Sequence, residues 1–387
     1  MNFDFTEEQI MFRDTVRKFC RQELPKEYVR WMDDNCDYPP DELWKKMADL
    51  GFLGIQTPEE YGGAGLGPIE NTILIEEISK VCAAIGLAIF ATVGFGTITI
   101  NAIGTEEQKR KYLLGIASGD LHWAMGLTEP GGGTDILGAL RSTAVLDGGD
   151  YVINGQKIFI TGAHRADYIN TIVITDPKAA KKTKALSIFI VDSKSPGLTI
   201  RKIKKVSNHS VSACELFFDN VRVPKENLLG TLNKGWYDLL STLNPERFLC
   251  AAMSLGISEA VLEDAIQYSK ERFAFGKPIG QFMVIQHMLA DMATDIEMTR
   301  LLLYKCAWLC DQGRRNEVEA AMVKLVSSDR SVVHACNGME IFGGYGVCME
   351  YDMQRYLRDS RQFTFAPISN EMCKNFIGES LGLPRSF

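Results

Sequence analysis

Apolar residues recur along this chain with two different periods, and the points where the period changes divide it. Up to about residue 120 they return every three or four positions, as one face of a helix requires. The stretch TEEQIMFRDTVRKFCRQEL opens on Thr6, whose hydroxyl suits the free N–H groups of a first helical turn, and DELWKKMADL and TEEQKRKYLLGIASG repeat the pattern. Between 121 and 232 the apolar residues become β-branched and aromatic. They fall in short runs (YINTIVIT, LSIFIVD, CELFFDNVRV) bounded by Gly, Pro, Asp and Asn, which predicts strands. From 233 to 387 helical spacing returns over long segments, FMVIQHMLADMATDIEMTRLLLYKCAWLC and VEAAMVKLVSSDRSVVHACNGMEIFG. The order predicts an α+β chain of three units: a helical domain over 1–120, a β domain over 121–232 and a helical bundle over 233–387. Helices this long bury their apolar stripes in a bundle that can continue across a subunit interface, so an oligomer is expected.

One run departs from the amphipathic pattern: no charged residue occurs from Val81 to Thr105, long enough to span a bilayer. Its Gly, Ala and Thr content also suits a buried helix beside a ligand cavity. Acidic helices flank it and no second apolar span follows, so no membrane insertion is expected. The 387 residues are 46% hydrophobic and 24% charged, which excludes a disordered chain. A net charge of −7 without a long basic run argues against nucleic acid as a partner. The short clusters Lys181, Lys182, Lys184 and Lys202, Lys204, Lys205 read as solvated, although a phosphate-bearing ligand could use one. Ten cysteines without disulfide spacing, and an N-terminus MNFDFTEEQ without a signal pattern, predict a reduced, cytoplasmic protein. Cys306 and Cys310 share a helix face but lack a matching Cys/His pair, so core packing is expected there. The five histidines show no metal spacing and read as structural.

LTEPGGGTD (127–135) offers consecutive glycines whose backbone N–H groups can approach an anion closely. It has no P-loop lysine and does not sit in a βαβ unit, so neither common nucleotide fingerprint applies. TPEEYGGAGL (57–66) precedes it. NGQKIFITGA (154–163), FFDNVRVPKENLLG (217–230), ERFAFGKPIGQF (271–282) and IFGGYGVCMEYDMQRYLRDSR (341–361) follow it. In this order and spacing, the motifs closely resemble the flavin-dependent acyl-CoA dehydrogenase family over the whole chain.

That resemblance implies an N-terminal helical domain, a central β-barrel-like domain and a C-terminal four-helix bundle. It implies FAD between the β domain and the C-terminal helices, a neighbouring subunit completing the site, and a homotetramer built as a dimer of dimers. It also implies loss of an α-proton and a β-hydride from an acyl-CoA thioester, with electrons passing to electron-transfer flavoprotein. Residue by residue, Leu127, Thr128, Gly133 and Thr134 fall at the flavin edge and the pyrophosphate. Phe159 falls where the family stacks an aromatic, commonly Trp, and Thr161 where a hydroxyl bonds the ring. Arg272 and Phe275 match residues that reach the FAD of an adjacent subunit. Glu340, Gly343 and Gly344 fit the adenylate portion, while Met283 replaces a common Gln. Ser369 and Glu371 keep a flavin-contacting motif. Thr134, Asn244, Arg247 and Pro367 fall on the thioester substrate and its CoA arm.

One departure bears on mechanism. Most members carry a Tyr-Glu-Gly-Thr stretch after an Arg-Asp pair, and its Glu is the base. Here Arg358-Asp359 leads to Ala366, Pro367, Ile368 and Ser369. Proline also lacks the N–H that in relatives helps polarise the thioester carbonyl, a donor worth on the order of 3 kcal/mol. Either Ile368 supplies a shifted donor or the substrate forms a less demanding enolate. A subset of the family places a Glu just before an Arg on a bundle helix, and Glu246-Arg247 matches it, which makes Glu246 the expected base. Pro245 then reads as a first-turn residue fixing the helix start. The competing reading makes Glu246 a favourable charge at the helix N-terminus. Ala366-Pro367 and the small residues of 82–104 remove volume, so a cyclic, branched or otherwise wide acyl group is expected. Alternatives are an enoyl-CoA reductase running the reverse reaction, a dehydrogenase of acyl groups on a carrier protein, and a flavin-binding scaffold without catalysis.

Overall fold

The computed structural model describes residues 4–385, apart from the side chains of Ser241 and Asn244. The N-terminal part is helical: α1 (Glu7–Glu23), α2 (Lys26–Asn35), α3 (Asp41–Asp49), α4 (Pro68–Val81), α5 (Ala83–Thr92), α6 (Thr99–Ile103) and α7 (Glu106–Ala117). Two capping boxes fix helix starts here. The Gln9 N–H donates to Thr6 Oγ1 at 3.2 Å and the Thr6 N–H to Gln9 Oε1 at 3.1 Å; Thr105 and Gln108 repeat the exchange at α7. Between α5 and α6 the helix continues through a π turn over Val93–Ile98. The span Ala83–Ile103 is long and apolar enough to cross a membrane, but 89% of its most apolar window is buried inside the protein.

The central sheet contains β1 (Trp123–Gly126), β2 (Thr143–Asp147), β3 (Asp150–Thr161), β4 (Tyr168–Ile174), β5 (Leu186–Asp192), β6 (Leu198–Ile203), β7 (Ala213–Pro224) and β8 (Leu228–Leu229), with a short helix α8 (Ile136–Ala139) between β1 and β2. The strand order is β6-β7-β3-β2-β4-β5-β8, largely antiparallel, with β1 parallel to β4. Side chains such as Ile153, Phe189, Leu216 and Val221 pack in one cluster, whereas Ile172, Ile188 and Ile190 join Trp123 and α7 in another. Burial on both faces explains why β4 and β5 read as continuous apolar runs without alternation.

Three long helices follow: α9 (Gly235–Glu271), α10 (Met283–Asp311) and α11 (Glu317–Phe342), then α12 (Met353–Gln362) and α13 (Asn370–Ser380). A hairpin of β9 (Phe273–Ala274) and β10 (Lys277–Pro278) joins α9 to α10. The largest apolar cluster runs from Val16, Phe52 and Ile75 to Leu249, Val261 and Leu303, so the N-terminal helices and the bundle share one core. Pro245 does not start α9, contrary to the sequence reading: the helix begins ten residues earlier, at Gly235, and Pro245 lies inside it. A proline there cannot donate to the carbonyl four residues back, which loosens the turn just before Glu246. Glu246 stands about three turns inside the helix, where the field of the helix end has faded, so that account of its charge falls.

Candidate functional site

The Gly-rich loop leaves β1 and is held by a buried ion pair. The Lys157 ammonium, fully buried on β3, donates to Glu129 Oε1 at 2.9 Å and to the Leu127 carbonyl at 3.0 Å. Glu129 also accepts the N–H groups of Arg141 (2.6 Å) and Ser142 (3.0 Å), and the Ile158 N–H donates to the Thr128 carbonyl at 2.9 Å. Burial pushes the Lys157 pKa down to about 8, with the Glu129 charge opposing the shift. Burial works against the Glu129 charge, but Lys157 and its other donors outweigh that and hold its pKa below the usual value. The carbonyls of Leu127 and Thr128 are therefore tied to β3, while Gly133 and Thr134 lie exposed farther along the loop. A Cβ on Gly132 would lie 2.2 Å from that of Ala139, so the turn closes only with glycine there. A Cβ on Gly133 would meet nothing within 4 Å, which leaves room for a ligand against its backbone.

Next to Lys157, the β3–β7 register slips between Lys157 and Ile160. Phe159 lies in that bulge with φ at +61° and is 64% exposed. A bulky residue in left-handed backbone is strained, and bulges re-aim side chains beside sites. The result is an aromatic face held out of the core, two residues before the half-buried Thr161.

Glu246 keeps partial solvent contact, but its carboxyl lies in poorly solvated surroundings. Burial raises its pKa to about 7, with the Arg247 charge opposing. Leu243, about one turn earlier, packs against the same cluster as Leu127 of the Gly-rich loop and Phe95 of the π turn, so the three segments converge near Glu246. The Arg247 guanidinium stands 5.6 Å from the centre of the Phe376 ring on α13. The loop before α13 carries Ala366, Pro367 and Ile368, all half-buried like Ser369, whose hydroxyl caps α13 by accepting the Met372 N–H at 3.3 Å. Glu371 is exposed in the first turn of α13. Buried Lys324 fixes this loop, donating to Asn370 Oδ1 at 2.7 Å and to the Thr364 carbonyl at 3.3 Å. The side chain of Asn244 lies outside the described residues.

The remaining candidates gather elsewhere. Arg272, Glu340, Gly343 and Gly344 line a cavity of about 390 Å³ with Tyr268 and Tyr345. Gly343 has φ at +58°, and a Cβ on either glycine would meet nothing within 4 Å. Phe275, at φ +51° in the β9–β10 turn, is 96% exposed, and Met283 is exposed nearby in sequence. From Glu246 to Arg272 along α9 is about 39 Å at 1.5 Å per residue, beyond the span of one dinucleotide. The candidate residues of one chain thus form two separate groups. Their donors fit FAD: hydroxyls and free backbone around an exposed aromatic at one end, a cation beside open glycine backbone at the other. Sequence reasoning missed Lys157, Glu129 and Lys324, since a lysine in a strand or long helix ordinarily reads as a solvated position.

Three family models match the chain in order: "Acyl-CoA dehydrogenase, N-terminal domain" over residues 6–120, "middle domain" over 124–221 and "C-terminal domain" over 233–382. Acyl-CoA dehydrogenase of Bacillus subtilis (strain 168) is 40% identical, covering 97% of this chain and 98% of that one. Caffeyl-CoA reductase-Etf complex subunit CarC of Acetobacterium woodii is 37% identical over 93% of this chain and 94% of its own. The structure of butyryl-CoA dehydrogenase from Megasphaera elsdenii superimposes with a TM-score of 0.94 at 35% identity, covering 99% of this chain and 100% of that one.

Proposed function

Because the chain belongs to the acyl-CoA dehydrogenase family, an FAD-dependent family of oxidoreductases, we propose that Glu246 is the base that takes the α-proton of its acyl-CoA substrate. The observation that carries this reading is the Glu246 carboxyl, raised to about 7 by poor solvation on the helix beside the Gly-rich loop. A base poised near the working pH is ionised often enough to accept a proton and basic enough to pull it. The opposing charge of Arg247 keeps the ionised form within reach.

FAD supplies the acceptor for the hydride leaving the β-carbon. Phe159 offers the exposed face for its ring, and Thr128 and Thr161 offer hydroxyls. Leu127, Gly133 and Thr134 supply backbone and side-chain contacts on a loop that Lys157 and Glu129 keep in place. Ser369 and Glu371 add polar groups from the start of α13. Thr134, Asn244, Arg247 and the Pro367 loop receive the thioester and its arm. Pro367 has no N–H, so the Ile368 amide is the donor left on that loop for the developing enolate. Arg272, Phe275, Glu340, Gly343 and Gly344 complete the cofactor site of a neighbouring copy. Exposed apolar side chains on α10 and α11, including Met298, Leu301, Trp308 and Val333, favour burial in a homotetramer. An electron-transferring flavoprotein is the electron partner, in keeping with the similarity to an Etf-complex subunit.

The π turn, the small residues of α5 and α6, and Ala366-Pro367 support a wide acyl group, cyclic or branched. Anaerobic titration of the purified flavoprotein with linear, branched, dicarboxylic and cyclic acyl-CoAs tests the reading. Flavin bleaching should be fastest with a wide group; absence of bleaching by every acyl-CoA would sink the dehydrogenase reading. A second reading, enoyl-CoA reduction, is favoured by the same carboxyl: near pH 7 its protonated form can return a proton to the α-carbon. Reoxidation of the reduced protein by an enoyl-CoA measures that direction.

A further inference from the structure

In the π turn between α5 and α6, two buried side chains take carbonyls that an α-helix would use itself. An α-helix would have the Thr99 N–H donate to the Phe95 carbonyl; here it donates to that of Gly96. Asn170 Nδ2, from the middle of β4, donates to the Phe95 carbonyl instead, at 2.6 Å, and the Thr99 hydroxyl donates to the Gly94 carbonyl at 3.3 Å. Both side chains are buried. Asn170 is an unexpected residue for its strand. Ile169, Ile172 and Val173 beside it are fully buried, and its own buried Oδ1 meets no donor among the described residues. An apolar side chain would fill that place without leaving an acceptor unpaired, so stability alone does not account for the amide. What it contributes is the bond to the turn.

That turn reaches the site. From Cys82 to Ile100 only Phe95 and Ile98 keep partial exposure, and both lie in the π turn. Gly94 and Gly96 seat it closely: a Cβ on Gly94 would lie 2.8 Å from the Phe90 ring, and one on Gly96 would lie 2.8 Å from Ile116 Cδ1 and 3.1 Å from Trp123 Cβ. The Phe95 side chain is left at the seam where Leu127 of the Gly-rich loop and Leu243 of α9 meet, about one turn from Glu246. We propose that Asn170 is a positioning residue for substrate selection: by holding the Phe95 carbonyl it keeps the turn in its π form and the Phe95 ring at the side of the acyl cleft. A donor on β4, outside the cleft, thereby sets the width of acyl group the protein accepts. This rests on the acyl-CoA reading of the site. Without the amide the Phe95 carbonyl is a buried acceptor with the Thr99 N–H as its helical partner. The turn then tightens toward an α-helix and carries the ring across the cleft.

The test is equilibrium binding of a straight-chain and a branched acyl-CoA of equal carbon count to the FAD-loaded protein and to N170L, N170A, F95A and N170L/F95A. Leucine keeps the branched shape of asparagine and removes the donor; alanine removes it without added bulk. Both Asn170 variants should keep FAD and lower the ratio of branched to straight-chain affinity at least about tenfold, the scale on which an apolar pocket discriminates by shape. F95A should raise that ratio, because the ring that bounds the cleft is gone. N170L should then add no further change in the F95A background, since substitutions acting through one ring are not additive. A lost packing contact would instead weaken both ligands alike. An unchanged ratio in either Asn170 variant would overturn the proposal, as would an equal drop with and without Phe95. Binding is read without turnover, so the two readings separate: a ratio that depends on Asn170, with no flavin bleaching by any acyl-CoA, would remove the dehydrogenase reading and leave the role of Asn170 standing.

Discussion

A carboxyl with its pKa at about 7 is half ionised at neutral pH, and that single property ties rate and stability together at Glu246. As a base it works only when ionised. Flavin reduction at saturating acyl-CoA should therefore rise about tenfold per pH unit below 7 and level off above it, in stopped-flow traces corrected for substrate binding. E246Q should keep FAD but slow that step at least about a hundredfold at pH 8 and lose the pH dependence. Stability runs the other way. The folded value lies above the ordinary 4.5, so folding favours the protonated form; this group's contribution is most favourable below about 4.5 and is lost as pH rises to about 7. At pH 8 the gap corresponds to on the order of 3 kcal/mol, and E246Q should melt above the native protein there and together with it at pH 4. Near-native reduction by E246Q would hand the role to another residue. The Glu246-Arg247 neighbours made this residue readable from the chain, whereas its setting was not. A proline before a charged pair looks like a helix start, and only the packing of 235–244 against the sheet domain carries the helix through it.

Among elements, β3 does the most for the site. In the sequence its KIFIT segment stands only as part of a motif, which hides two features, the buried head of Lys157 and the bulge that turns Phe159 outward. Both depend on what lies across the strand, the Gly-rich loop on one side and β7 on the other, and those partners are distant in sequence. Helices were easier to read, because Thr6 and Thr105 announce their starts locally. The ion pair invites a direct measurement. K157M keeps the length of the side chain and leaves Glu129 charged and buried, a loss of about 3–5 kcal/mol when one partner of a buried pair is removed. Its Tm should drop by several degrees and its FAD affinity by more than tenfold, since the loop loses the bond to the Leu127 carbonyl. K157M/E129Q should recover part of the Tm without recovering the FAD affinity. An unchanged Tm in K157M would mean that the pair adds nothing to the fold.

At the scale of the molecule, the candidate cofactor residues fall at opposite ends of α9, and the sequence had no means of measuring that separation. Arg272, Glu340, Gly343 and Gly344 line one cavity, but how far they lie from Glu246 depends on a helix continuing unbroken for 37 residues. If a second copy brings its Arg272 end to the Phe159 end of the first, R272A should reduce FAD occupancy, and dilution into monomers should release FAD from the native protein. Retention of FAD by both would restrict the site to one chain. The length of α9 then has a consequence for inheritance. In that arrangement each subunit would keep its own base but lend its arginine turn to a neighbour, so a defect at one end would damage a different site from a defect at the other. In a pair made of one E246Q subunit and one R272A subunit, both lesions fall in the same site and the other site is whole. Two alleles that are each inactive alone would complement when expressed together, as no mixture of two lesions confined to one chain's own site can do.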